Sequence, residues 1–122
     1  MDARTLARAQ AVARSAFGVA LTLAPRVTAA GWLGRDARRP GTQVALRALG
    51  ARDLAIGLGA AYAASQGHGA RPWLQAGTLA DAVDLAATVR ARQHLPPLAV
   101  AAVGAMAAGS AALGLWLSRE LD

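Results

Sequence analysis

Residues 44–64 read VALRALGARDLAIGLGAAYAA, an uninterrupted helical stretch of Ala, Gly and Leu that nevertheless carries Arg47, Arg52 and Asp53. Small residues and the acid fall in register. Gly50, Asp53, Gly57, Ala60 and Ala64 follow the three- and four-residue steps of one helix face, so the bare strip along which another backbone could approach also bears a carboxylate. Arg52 projects about 100° away from that strip, and Arg47 lies more than a turn nearer the helix start. Two further stretches of similar composition flank it, so the solvent this helix expects is lipid, where ionisable groups are costly and need partners.

The partners lie downstream. A helix beginning near Pro72 aligns Gly77, Asp81, Asp84 and Thr88 on one face, which places two carboxylates three residues apart. Arg90 and Arg92 follow, as basic residues favour a helix C-terminus. Upstream, Asp2 is suited to cap a first helix that stops at Pro25. Arg14 interrupts that first helix, which must either begin in the headgroup layer with Arg8 and Arg14 snorkelling or bury Arg14 against acids elsewhere. From Leu98 to Ser118 no charge occurs, and this is the cleanest spanning segment.

These readings predict an all-α, four-helix transmembrane bundle of up-down-up-down topology, with helices at roughly 3–24, 42–65, 72–93 and 97–118 in one domain. Thr42 is the expected cap of the second helix, and 35–41 reads as a polar loop. Gly50, Gly57, Gly77 and Gly104 are the expected helix-packing positions. Trp32, Trp73 and Trp116 each fall at a predicted membrane boundary.

Composition agrees. Of 122 residues 55% are hydrophobic, only 16% are charged and 4% are aromatic, with a mean hydropathy of +0.32. Soluble domains carry roughly 25% charged residues. All 13 basic residues are Arg, which with the abundant Ala and Gly suggests a GC-rich bacterial genome. The net charge of +6 sits in short segments between apolar runs, and no nucleic-acid-binding pattern accompanies it, so no nucleic-acid partner is expected. Arg26, Arg35, Arg38, Arg39, Arg90 and Arg92 outnumber Arg4, Arg8, Arg71 and Arg119, which favours the first and third connections as cytoplasmic. The absence of Cys rules out disulfides, thiolate metal sites and a cysteine nucleophile. The start MDARTLARAQ lacks the apolar core of a removable signal peptide.

The candidate site is therefore an intramembrane polar cluster of Arg14, Arg47, Arg52, Asp53, Asp81 and Asp84. Three chemistries fit it. A structural ion-pair network would pair Arg52 or Arg47 with Asp81 or Asp84, and Arg14 with Asp53. A proton- or cation-coupled carrier would use Asp81 or Asp84 as its titratable group. A membrane-embedded enzyme would bind Mg²⁺ through Asp-x-x-Asp and clamp the phosphate or diphosphate of a lipid with Arg47 and Arg52, on a weak motif. No resident cofactor or metal is assigned. His68 and His94 fall in loops on opposite sides and cannot share a metal.

The run RALGARDLAIGLG at 47–59, followed by RPWLQAGTLADAVDL at 71–85, resembles a group of small actinobacterial integral membrane proteins of unknown function. These carry a similar Arg-Asp helix followed by an Asp-x-x-Asp helix. The resemblance covers about the middle half of the chain and implies a four-helix membrane fold without supplying an activity. The expectation is a multi-pass protein of the bacterial plasma membrane, serving as a small transport, ligand-binding or accessory subunit. Its partners are the lipid bilayer and either copies of itself or another membrane protein, since four short helices should enclose little cavity alone. The alternatives are the membrane-embedded enzyme and a soluble Ala-rich helical bundle.

Overall fold

The computed structural model describes residues 1–122 and is helical almost throughout, with no strand. Four long helices dominate: α1 (Ala3–Leu23), α4 (Pro40–Gln66), α5 (Ala70–Arg90) and α6 (Pro97–Glu120). Between α1 and α4 lie two single-turn helices, α2 (Pro25–Thr28) and α3 (Ala30–Leu33), and a 3₁₀ segment, Gly34–Arg38. Of the stretch expected to be a polar loop, 35–41, residues up to Arg38 are wound into the 3₁₀ segment and Pro40 and Gly41 open α4; Ala37 within it, and Ala29 before it, are buried with Leu21 and Leu46.

Local chemistry sets the helix ends. The Asp2 side chain accepts a hydrogen bond from the Thr5 amide at 2.7 Å, which caps α1 and holds this carboxyl below its ordinary range. Pro40, not a residue after Thr42, opens α4: Arg39 is the cap residue and the proline ring fills the first helical position. Gly67 and Gly69 both take the left-handed conformation, at φ 81° and 78°, so the chain reverses between α4 and α5 in three residues. That short reversal lets α5 begin at Ala70, two residues before the expected Pro72, and it ends at Arg90 rather than 93.

Consecutive long helices run antiparallel. The Arg4 guanidinium bonds the Gly67 carbonyl and the Arg71 amide bonds the Asp122 carbonyl, so both chain termini lie beside the α4–α5 reversal. At the opposite end Gly34 approaches Pro96. Helices α1 and α4 pack backbone to backbone: a Cβ on Gly18 would stand 2.5 Å from the Leu54 amide nitrogen and 2.6 Å from the Gly50 carbonyl. Gly57 is as tightly held against Ala11 and Ser15. Helix α6 packs along α5, where Gly114 sits over Thr78. Gly104 differs from the other glycines expected to mediate packing, because a Cβ there would meet only the Leu85 side chain, at 3.7 Å.

The interior is made of small residues. Apart from Leu21, Leu46, Leu74 and Leu117, the buried apolar side chains are alanines, whereas Phe17, Leu58, Leu79, Leu98 and Met106 are exposed. One helix, α6, is long and apolar enough to cross a membrane, with a mean hydropathy of 1.9 over its best window and 11% of that window buried. Helices α1, α4 and α5 do not meet that criterion by composition.

Candidate functional site

Five of the six charged residues singled out in the sequence converge where α1, α4 and α5 meet. Each is there for a simple reason of register. Asp53 shares the face of α4 that carries Gly50 and Gly57, and close packing of that face on α1 buries it to 3% exposure. Asp81 lies one turn beyond Gly77, and a Cβ at Gly77 would stand 3.2 Å from the Arg14 guanidinium. The bare glycine therefore leaves room for the planar head of Arg14 to lie between the helices.

The contacts form an alternating chain of charge, Asp84–Arg52–Asp53–Arg14–Asp81. Arg14 Nη1 donates to Asp53 Oδ1 at 3.2 Å and Nη2 to Asp81 Oδ2 at 2.5 Å. Nη2 also reaches the Gly77 carbonyl at 3.4 Å and Ser110 Oγ at 3.5 Å, so one side chain of α1 contacts α4, α5 and α6. Arg52 Nη2 donates to Asp53 Oδ1 at 3.1 Å and to Asp84 Oδ2 at 2.8 Å, with Nη1 on Asp84 Oδ1 at 3.2 Å, which makes the Asp84 contact a two-pronged one. The Arg14 end is nearly closed to solvent, with side-chain exposures of 9%, 5% and 11% for Arg14, Asp53 and Asp81. The Arg52 side chain is 32% exposed, so this chain of charge runs from the interior toward the surface.

Arg47 stands apart from the other five. It is exposed, and its guanidinium bonds the Thr22 carbonyl at the C-terminal end of α1, where four carbonyls lack helical partners. The expectation that Arg47 belongs to the cluster, as a partner for Asp81 or Asp84, is thus corrected: more than a turn nearer the start of α4 than Arg52, it reaches the end of α1 instead. Replacement of Arg47 by Ala is expected to cost about 1 kcal/mol or less and to leave the cluster unchanged, since it loses one charged cap. A loss as large as that for Arg14, measured as a shift in the unfolding midpoint, would contradict this placement.

Two further hydrogen-bonded pairs flank the cluster. Gln10 Nε2 donates to the Ser110 carbonyl at 2.9 Å and to its hydroxyl at 3.1 Å, joining α1 to α6. Trp32 is half-buried, and its indole N–H donates to Thr88 Oγ1 at 3.2 Å, so it ties α3 to α5. Trp73 and Trp116 are exposed. Gln10 and Ser110 gave no signal in sequence because isolated polar residues on Ala-rich helices are common, and only the α1–α6 juxtaposition pairs them.

Above this floor lies a cleft of about 660 Å³ between α1 and α6. Arg14, Asp53, Asp81 and Asp84 line its base; Phe17, Leu98 and Met106 line it too and are themselves exposed. Gln10 and Ser110 bridge the helices on the side of the chain termini, and Thr28 and Trp32 line the other side. A single chain thus presents an open cleft of the size that holds a small ligand.

The geometry also bears on metal chemistry. Asp81 and Asp84, three apart on α5, turn to different guanidinium groups, and no three His, Cys, Asp or Glu side chains converge on one point. Such a divergent pair lacks the clustered oxygens a hard cation requires. His68 and His94 are both exposed, in separate connections. Comparison with known protein families, characterised proteins and solved structures finds no match for this chain.

Proposed function

We propose that the protein is a small multi-pass membrane protein whose four long helices span the bilayer, and that the cleft between α1 and α6 admits a ligand to the Arg/Asp cluster. In this reading it serves as a carrier or as the ligand-binding subunit of a larger assembly. The single observation that carries the reading is the inverted distribution of polarity. The exposed side chains along the middle of the helices are Val12, Phe17, Val19, Leu58, Leu79, Val83 and Met106, while Arg14, Asp53 and Asp81 are turned inward. Water would favour the reverse, because bringing three charged groups inside costs several kcal/mol per ion, while the apolar side chains that could offset it remain outside.

The same observation accounts for the composition of α1, α4 and α5. Charges lower the mean hydropathy of each sequence, but those in the middle of the helices, Arg14, Arg52, Asp53, Asp81 and Asp84, pair with one another, which leaves the outward surface there largely apolar. Exposed arginines collect at the two ends: Arg4, Arg8, Arg71 and Arg119 beside the termini, and Arg26, Arg35, Arg38, Arg39, Arg90 and Arg92 at the other. Arg8 reaches the Ala64 carbonyl near the end of α4, which keeps its charge at the boundary. The more heavily charged end is assigned to the cytoplasm, and the membrane to the bacterial plasma membrane.

Alkaline carbonate extraction tests this directly. The protein is expected to remain with the membrane pellet, because carbonate strips surface-bound proteins and leaves spanning ones. Recovery of folded, monodisperse protein in the supernatant without detergent would identify a soluble Ala-rich bundle and end the membrane reading.

A further inference from the structure

We infer that the cleft binds an amphiphile with a protonated amine at one end, seated with its ammonium group against Asp53 and Asp81 and its chain between α1 and α6. This rests on the membrane reading above and adds to it the chemical class of the ligand.

The first support is charge. With carboxylates and guanidinium groups ionised, the chain Asp84–Arg52–Asp53–Arg14–Asp81 holds three negative and two positive charges, a net −1. Both ends of the chain are acids. In a low-dielectric surrounding an unbalanced charge is costly, so the site favours one further positive charge. Neither an anion nor a neutral alcohol supplies it.

The second support is the unused hydrogen-bonding capacity. All three guanidinium contacts to Asp53 fall on Oδ1, and the one contact to Asp81 falls on Oδ2. No protein donor reaches Asp53 Oδ2 or Asp81 Oδ1, although the two side chains are only 5% and 11% exposed. Neither oxygen is sealed away from the space around it, since every fully enclosed side-chain N or O atom has a partner. Both residues line the cleft. An ammonium carries three N–H donors and no acceptor, which matches two vacant carboxylate oxygens; a quaternary ammonium would satisfy the charge and leave the oxygens unbonded.

The third support is shape. The space above the acids is walled by Phe17, Leu98, Val103 and Met106, and its volume of about 660 Å³ exceeds what a small hydrated cation needs. Apolar walls above a charged floor suit a molecule with one charged end. The separation of Asp81 from Asp84 by their two arginines argues against a bare divalent metal, so the positive group is an organic one.

Trp32 provides the readout, because it lines the cleft whereas Trp73 and Trp116 do not. The full chain carrying Trp73→Phe and Trp116→Phe is placed in phosphatidylcholine vesicles. Quenching of Trp32 fluorescence is followed with three probes that share a brominated dodecyl chain and end in ammonium, hydroxyl or carboxylate, each compared at equal mole fraction in the membrane. The ammonium probe is expected to quench at a concentration about tenfold lower than the others, the difference one charge-assisted hydrogen bond makes. Asp81→Asn brings the cluster to neutrality and is expected to abolish the preference. Asp84→Asn makes the same change of charge at a half-buried position and serves where Asp81→Asn does not assemble. Equal quenching by all three probes, stronger quenching by the carboxylate, or an ammonium preference that survives in the assembled Asn variant would overturn the inference. Equal quenching from a protein that resists carbonate leaves the membrane reading intact, whereas release by carbonate removes the premise of both.

Discussion

Arg14→Leu is expected to destabilise the bundle by about 3–5 kcal/mol, the largest effect of any single replacement, because it strands the Asp81 carboxylate and leaves Asp53 to Arg52 alone, both acids being nearly closed to solvent. Arg14 is the one cation that touches both Asp53 and Asp81, and it does so with separate nitrogens. Arg52 can still hold Asp53, but nothing else bonds Asp81. The variant is expected to unfold at a lower mole fraction of denaturing detergent, or to lose its monodisperse state. The cause is distinguished by the triple variant Arg14→Leu, Asp53→Asn, Asp81→Asn, which removes the stranded charges and is expected to recover much of the loss. A shift for Arg14→Leu no larger than that for Arg47→Ala would show that the alternating chain does not hold the helices together.

Gly18→Ala is expected to cost about 1–3 kcal/mol, although alanine in a helix interior ordinarily gains about 1 kcal/mol over glycine. The reason is contact between backbones. The added methyl would meet the Leu54 amide nitrogen and the Gly50 carbonyl, neither of which can turn aside as a flexible side chain would. Helix α1 would have to move away from α4, and because Arg14 lies one turn from Gly18, its reach to Asp53 would lengthen with it. Gly104→Ala is the matched control. Its nearest neighbour would be a leucine methyl at ordinary contact distance, so this change is expected to be neutral or stabilising by up to about 1 kcal/mol. Loss of stability at Gly104 equal to that at Gly18 would mean that α5 and α6 approach as closely as α1 and α4.

The two expectations share a physical basis. Leucine packing supplies little here, since the enclosed side chains are mostly Ala and Gly. Contact between α1 and α4 comes instead from bare backbone, and specificity comes from directional bonds of charged groups. That division also explains why the cleft lies where it does. Helices α1 and α4 close completely through Gly18, Gly50 and Gly57. Helices α1 and α6 have no such strip; toward the termini Ala7 and Leu117 share one core cluster, Gln10 and Ser110 bridge the helices above it, and the cleft opens beyond that bridge.

The sequence by itself determined the helices, because Pro25, Pro40, the glycines at 67 and 69 and Pro97 interrupt a chain otherwise rich in helix formers. It also determined which residues face inward on α4 and α5, since Gly50, Asp53 and Gly57, and likewise Gly77 and Asp81, recur at helical spacing. The winding between Pro25 and Arg38 was not legible as structure: its last residues, from Arg35, read as polar loop, and no local pattern shows that Ala29 and Ala37 find Leu21 and Leu46 to pack against. Pairing was decided only by the tertiary structure. Helical spacing shows which face a charge occupies but not its height against a neighbour, and that height assigns Arg14 to two acids and Arg47 to a helix end. The cleft likewise has no trace in any one segment: it exists because the first and last long helices, more than seventy residues apart along the chain, stand side by side without a glycine strip to close them.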